Sequence, residues 1–258
     1  SEMEKYKKWI KKTLRVELVE GYKDPGIFKA VFLAGGPGSG KTYIAKGLFG
    51  IPDKVNVSQT GMKMVNSDKE LKYLLNKFGF GTDLDALPDE VFANLTNPKD
   101  PKYSGLRNFA KDLTGERRRL YQNGRLGMII DGTGDDFKKI SMEKKELEAV
   151  GYDCYMIFVN TTVEVALSRN EKRDRVLPEK IVRDSHKSVT QNIGGFQGLF
   201  GGSNFTIVDN NKDLDEEAGK KRFNMLVKQG IGKFIRKPLK NKRGLSWIRK
   251  NKILKGKK

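Results

Sequence analysis

Apolar residues along this chain fall into two kinds of run. Four short, nearly unbroken runs read as buried strands: residues 28–34 (Phe28-Lys29-Ala30-Val31-Phe32-Leu33-Ala34), 126–131 (Leu126-Gly127-Met128-Ile129-Ile130-Asp131), 153–160, and 205–209 (Phe205-Thr206-Ile207-Val208-Asp209). Lys63-Met64-Val65-Asn66 reads as a shorter strand of the same kind. Between them the apolar positions change to helical spacing. Residues 68–78 place Leu71, Leu74, Leu75 and Phe78 on one face, and Gly79-Phe80-Gly81 stops that helix. Further helices are predicted over 104–123, ending at Asn123-Gly124; over 136–150, closed by Gly151; and over 163–170, 178–193 and 213–229. Residues 4–13 read as a short basic helix and Gly21 to Gly26 as a turn. Residues 82–103 are loop-rich, with Pro88, Pro98 and Pro101 and one helix at 89–95. Gly194-Gly195 and Gly201-Gly202 bracket what reads as a mobile apolar loop. Strands alternating with helices predict an α/β fold, a parallel sheet covered on both faces in three layers. Ligands of such sheets sit at the carboxyl ends of the strands.

The first strand and the helix after it flank Gly35-Gly36-Pro37-Gly38-Ser39-Gly40-Lys41-Thr42, a complete G-x-x-x-x-G-K-[ST] phosphate-binding loop. Its glycines let backbone N–H groups close around a triphosphate where a Cβ would intrude, and the helix N-terminus adds donors and partial positive charge. Gly36, Pro37, Gly38, Ser39, Gly40, Lys41 and Thr42 are therefore expected to bind ATP. Lys41 would reach the β- and γ-phosphates, and the Thr42 hydroxyl would hold Mg²⁺. The alternative is a chance glycine-rich turn.

Three further segments, at Asp131, Asp68 and Asp209, fall at or just after strand ends on the same edge, and a fourth, the arginines at 169–175, follows a strand and a helix. Asp131 precedes Gly132-Thr133-Gly134 and can orient water on Mg²⁺ or contact the acceptor; otherwise it is a turn aspartate capping the next helix. Asp68 follows the second strand and suits a general base for an acceptor hydroxyl, or a cap. Arg169, Arg173 and Arg175, before Pro178, suit a lid over residues 169–178 whose guanidinium groups stabilise a transferring phosphoryl group. A solvated helix end, with Glu171 and Asp174 as partners, is the plainer reading. Asp209, in Asp209-Asn210-Asn211, is expected beside the adenine, although the same tripeptide makes an ordinary turn.

Composition narrows the class. Hydrophobic residues are 37% and charged residues 32% of 258, and no apolar run approaches a membrane span. The polar first twelve residues lack the apolar stretch of a secretion signal, and Cys154 is the single cysteine. A reducing, cytoplasmic setting is expected, with Cys154 buried in its strand. His186 is the one histidine, which excludes a His/Cys metal cluster. Net charge is +19, and Lys233 to Lys258 carries 12 Lys/Arg and no acid. That tail interleaves cations with apolar residues, so a nucleic-acid backbone is its expected partner, with Trp247 stacking on a base. An anionic membrane surface, or Trp247 and Ile248 packing on the core, are the alternatives.

These motifs in this order resemble the zeta-toxin-like branch of the P-loop kinases, some of them phage-encoded. Residues 33–42, Val65-Asn66-Ser67-Asp68, residues 129–134, Gly151-Tyr152 and the arginines at 169–175 carry the resemblance, over roughly residues 28–210. It implies a P-loop kinase three-layer sandwich and an ATP-dependent transfer to a sugar hydroxyl of UDP-N-acetylglucosamine. It also implies that Asp68 activates the acceptor and that two of the three lid arginines act. Asp131 stands where that family usually has Glu, and Asn66 where it often has an acid. The expected layout is an N-terminal helical extension (1–26), a kinase core (27–212, with an insert at 79–103) and a basic helical extension (213–258). The expected activity is transfer of the γ-phosphoryl group to a nucleic-acid or nucleotide-type hydroxyl. The rivals are the sugar-nucleotide kinase and a nucleic-acid-binding ATPase without an acceptor.

Overall fold

The computed structural model describes residues 24, 26–41, 62–66, 71, 74–76, 79, 87–90, 106–173, 176–211, 217, 221, 232 and 234–255, with backbone only at 106–109 and 253–255. Five strands, β1 (Lys29–Ala34), β2 (Lys63–Val65), β3 (Met128–Asp131), β4 (Asp153–Asn160) and β5 (Phe205–Asp209), form one sheet in the order β2-β3-β1-β4-β5. Every pairing is parallel; Val31 lies between Ile129 and Tyr155, and Leu33 between Asp131 and Ile157. The described helices are α1 (Leu106–Asn123), α2 (Phe137–Val150), α3 (Val163–Glu171), α4 (Glu179–Thr190), α5 (Ile193–Phe200) and α6 (Lys242–Lys255).

Side chains alternate across a strand, so each strand feeds two cores. Ala30, Phe32, Ala34, Met128, Ile130, Cys154, Met156 and Phe158 point to one face, where Leu113, Leu147, Val189, Phe196 and Phe200 cover them. Val31, Leu33, Ile129, Tyr155, Ile157, Val159 and Val208 point to the other, where Phe234 and Ile235 pack. This is the α/β architecture expected from the runs. Cys154 is buried as expected, and burial pushes its thiol well above the usual range.

The segment expected to be a mobile apolar loop is instead the helix α5. Phe196 and Phe200, four residues apart, are buried on one face, against Phe137 and Phe32 respectively. Glycine costs about 1 kcal/mol per helical position relative to alanine, and burying each phenylalanine returns about 1.5–3 kcal/mol. Burial therefore overrides the local preference of Gly194, Gly195 and Gly198.

The basic C-terminal segment docks at the amino ends of β1 and β4. Asp153 accepts the N–H groups of Lys240 (2.8 Å) and Asn241 (3.1 Å). The Asn241 side chain donates to the carbonyls of Glu148 (2.8 Å) and Tyr152 (3.1 Å), and its oxygen caps α6 by accepting from Arg243 N–H (3.0 Å). Gly244 crosses Gly151 so closely that a Cβ on Gly151 would lie 2.8 Å from the Gly244 Cα. Lys29, buried at the start of β1, donates to the carbonyls of Phe234 (2.5 Å) and Lys237. Trp247 meets Phe28 edge-on, centroids 5.5 Å apart, and Arg125 lies 5.3 Å over the indole. Phe28 adopts a left-handed backbone (φ 57°) that bulky residues avoid, held by this contact and by Tyr152. Trp247 thus anchors the fold, which corrects the expectation that it stacks on a base. The helices expected at 4–13 and most of 68–78, 89–95 and 213–229 lie outside the described residues; Leu71, Leu74 and Leu75 are buried. No described helix is long and apolar enough to cross a membrane.

Candidate functional site

The loop between β1 and Lys41 sits at the carboxyl edge of the sheet, at the strand where the order reverses: the chain runs from β1 to β2 and β3 on one side, then crosses β1 to reach β4 and β5 on the other. It is stitched to the turn after β3: Gly35 N–H donates to Thr133 carbonyl (3.0 Å) and Gly132 N–H to Leu33 carbonyl (3.0 Å). Gly38 and Gly40 both take positive φ (73° and 78°). A Cβ on Gly38 would lie 2.6 Å from the Ala166 carbonyl oxygen of α3, and one on Gly40 would strike the Asn210 side chain. Only glycine satisfies both the dihedral and the approach.

Two side chains fix this loop from outside. Asn210 follows β5 and is buried; its amide donates to Ser39 carbonyl (2.7 Å). Arg169, near the end of α3, donates to Gly38 carbonyl (3.0 Å) and to Asn210 carbonyl (2.6 Å). A trans peptide sets its C=O and N–H on opposite sides. Anchoring Ser39 carbonyl on Asn210 therefore turns Gly40 N–H away from β5. Arg169 is accordingly placed as a clamp on the loop backbone.

Lys41 stands at the loop's end. Its ammonium lies 2.8 Å from the Asp131 carboxylate and 2.5 Å from Gly132 carbonyl. Asn66, just past β2, donates to the other Asp131 oxygen at 2.6 Å. The cap of α2 is Asp136, whose side chain accepts Lys139 N–H at 2.9 Å, so Asp131 is not spent on capping. A cleft of about 620 Å³ opens beside this trio. It is lined by Leu33, Val65 and Ile130 from the strands, by Lys111 and Arg118 from α1 and by Lys139 and Glu143 from α2. Arg118 is held by Glu143 (3.2 Å) and Glu146 (3.3 Å).

The remaining expected residues are placed differently. Asp209 is exposed and its carboxylate accepts Asn211 N–H (3.1 Å), closing a turn, while neighbouring Asn210 reaches the loop. Arg173 is exposed beyond the end of α3. The base of the 169–178 segment is pinned by buried Asn170, which donates to Leu177 carbonyl (2.8 Å) and accepts Leu177 N–H (3.0 Å). Asp68, Thr42 and Arg175 lie outside the described residues. Sequence reasoning missed Asn210 and Asn170, and assigned Asn66 no contact with Asp131.

The donor set fits a nucleotide with Mg²⁺. A loop of glycines with outward-held carbonyls suits phosphate oxygens, and Mg²⁺ takes one or two carboxylates and keeps the rest of its shell for water and phosphate. Among the described residues no cluster of three or more His, Cys, Asp or Glu forms a protein-only metal cage, and Asp131 is the carboxylate beside the loop.

No protein-family model and no curated protein matches the chain. Among solved structures it is similar to a chain from the molecular and structural characterization of the PezAT chromosomal toxin–antitoxin system of the human pathogen Streptococcus pneumoniae. Identity is 17%, the match covers 95% of this chain and 93% of that one, and the TM-score is 0.47.

Proposed function

We propose that this protein is an ATP-dependent kinase that transfers the γ-phosphoryl group to a hydroxyl of a nucleotide-type or nucleic-acid acceptor. The observation that carries the reading is the meeting of Lys41, Asp131 and Asn66 at the mouth of the cleft beside the phosphate loop. Phosphoryl transfer is mostly positioning plus electrostatics, and this site supplies both. The loop amides hold the phosphate chain, and the Lys41 ammonium carries positive charge to the β- and γ-oxygens. Asp131 and Thr42 would hold Mg²⁺, which neutralises phosphate charge when bound. The acceptor takes the cleft, with Asp68 orienting its hydroxyl and receiving the proton. Arg173 and Arg175 supply further positive charge from the lid, while Arg169 keeps the loop in shape.

The resemblance to zeta-toxin-like kinases makes UDP-N-acetylglucosamine a specific acceptor to test. The experiment is transfer from γ-labelled ATP to a panel of 5′-hydroxyl DNA and RNA, hydroxymethylated DNA, nucleosides and UDP-N-acetylglucosamine. Label on one acceptor, lost in Asp68→Asn, is the expected result. Free phosphate as the only product, unchanged in Asp68→Asn, would instead establish an ATPase.

A further inference from the structure

The docked C-terminal segment has an outer face that the catalytic reading does not use. In α6 the residues turned to the protein are Gly244, which is buried, and the half-buried Trp247, Ile248 and Asn251. At 100° per residue the opposite side carries Lys242, Arg243, Ser246, Arg249 and Lys250, all exposed. Arg243 also donates to Ala149 carbonyl at 2.8 Å. Among the described residues none of these four cations forms an ion pair. Lys242 to Lys250 spans about 12 Å of helix axis, at 1.5 Å per residue. That is the reach of about three or four phosphates of one strand of a duplex.

We propose that this outer face of α6 is a binding site for a nucleic-acid phosphodiester backbone. A membrane-surface helix would need a free apolar face to insert. Here that face is occupied, because Trp247 and Ile248 pack on the core. A protein partner would need a central aromatic or aliphatic anchor, and Ser246 is the one uncharged residue among the cations. What remains is a rigid row of point charges with no acid on its helix, which suits repeating phosphates. The anchoring contacts of Asp153, Asn241 and Gly151 hold the row in place, so little ordering entropy is lost on binding.

The test needs no ATP and does not depend on the kinase reading. Fluorescence anisotropy of labelled mixed-sequence 20-mers (single-stranded DNA, duplex DNA, RNA) is measured across a salt series. The variants are Lys242→Glu/Arg249→Glu/Lys250→Glu and a control set on α4, Lys180→Glu/Arg183→Glu/Lys187→Glu, with the same change in net charge. The α6 set should lose about tenfold or more in affinity and its log–log salt slope should fall by about 2 to 3, roughly one per cation. The control set should keep most of both. Should the reversal unfold the protein, the Lys242→Gln/Arg249→Gln/Lys250→Gln set reads the same slope. Equal losses in both sets, no binding to any 20-mer at low salt, or tight binding only to phosphatidylserine vesicles would overturn the proposal. The readout is binding measured without nucleotide, so a failed kinase assay leaves this result standing.

Discussion

The amide of Asn210 donates to the carbonyl of Ser39 at 2.7 Å, joining the end of β5 to the phosphate loop across the top of the sheet. The same residue's carbonyl accepts from Arg169, which also holds Gly38, so one buried asparagine and one arginine fix two consecutive loop peptides. Asn210→Ala removes the donor and leaves a carbonyl short of its partner inside the protein, at a cost of about 1–3 kcal/mol. We expect ATP affinity to fall about tenfold or more, with a smaller effect on adenosine, because the damage is to the phosphate cradle. Titration calorimetry with both ligands checks this; equal losses for the two would place Asn210 at the base instead.

Lys41 and Asp131 form the second joint. With both side chains largely shielded, the pair keeps Lys41 beside the cleft. Lys41→Ala should abolish transfer while the protein stays folded, and Asp131→Asn should lower kcat by about 100-fold or more, the scale of losing an electrostatic group in phosphoryl transfer. Circular dichroism and a single-turnover assay separate the two effects from misfolding. Retained turnover in Lys41→Ala would remove the kinase reading.

The strands and the loop were legible because their signals are local. A run such as Val31-Phe32-Leu33-Ala34, followed by glycines at fixed spacing, leaves few conformations open. Asp131 was legible for the same reason, as the first carboxylate after a buried run. Asn210 was not, since an asparagine after a strand reads as a turn whether or not its amide reaches another loop. Helix α5 was hidden because Gly194, Gly195 and Gly198 argue against a helix, and only the tertiary burial of Phe196 and Phe200 reverses that. The direction of Arg169 was hidden too: spacing puts it on the lid side of α3, but whether it faces phosphate or loop backbone depends on Asn210, far along the chain.

Lys29 predicts a pH dependence of stability. Burial, with a smaller contribution from Lys237, lowers its ammonium to about 8 from 10.5, although Asp153 opposes the shift. The folded pKa is below the unfolded one, so between about pH 8 and 10.5 the unfolded chain binds more protons. Stability contributed by this group therefore rises as pH climbs through that window, and is flat below it. Denaturant midpoints at pH 7, 9 and 10.5 should show wild type gaining on Lys29→Met at the two higher values. A constant gap between the two proteins would mean that Lys29 keeps an ordinary pKa.

Trp247 tests whether the C-terminal segment belongs to the fold. Its indole supports Phe28, whose left-handed backbone is otherwise unfavourable, and lies under Arg125. Trp247→Ala removes a large half-buried ring and should cost about 2–3 kcal/mol, somewhat less than the 3–5 kcal/mol of a fully buried tryptophan. Because β1 begins at Lys29, next to Phe28, the loss should lower the melting temperature of the whole sheet in one transition. Truncation before Lys233 should do at least as much damage, because it also removes the Phe234 and Lys237 carbonyls that receive Lys29. Differential scanning calorimetry of the three proteins checks this. A truncated chain that melts as wild type does would show that the segment is an appendage and that the core needs neither Trp247 nor the Asn241 cap.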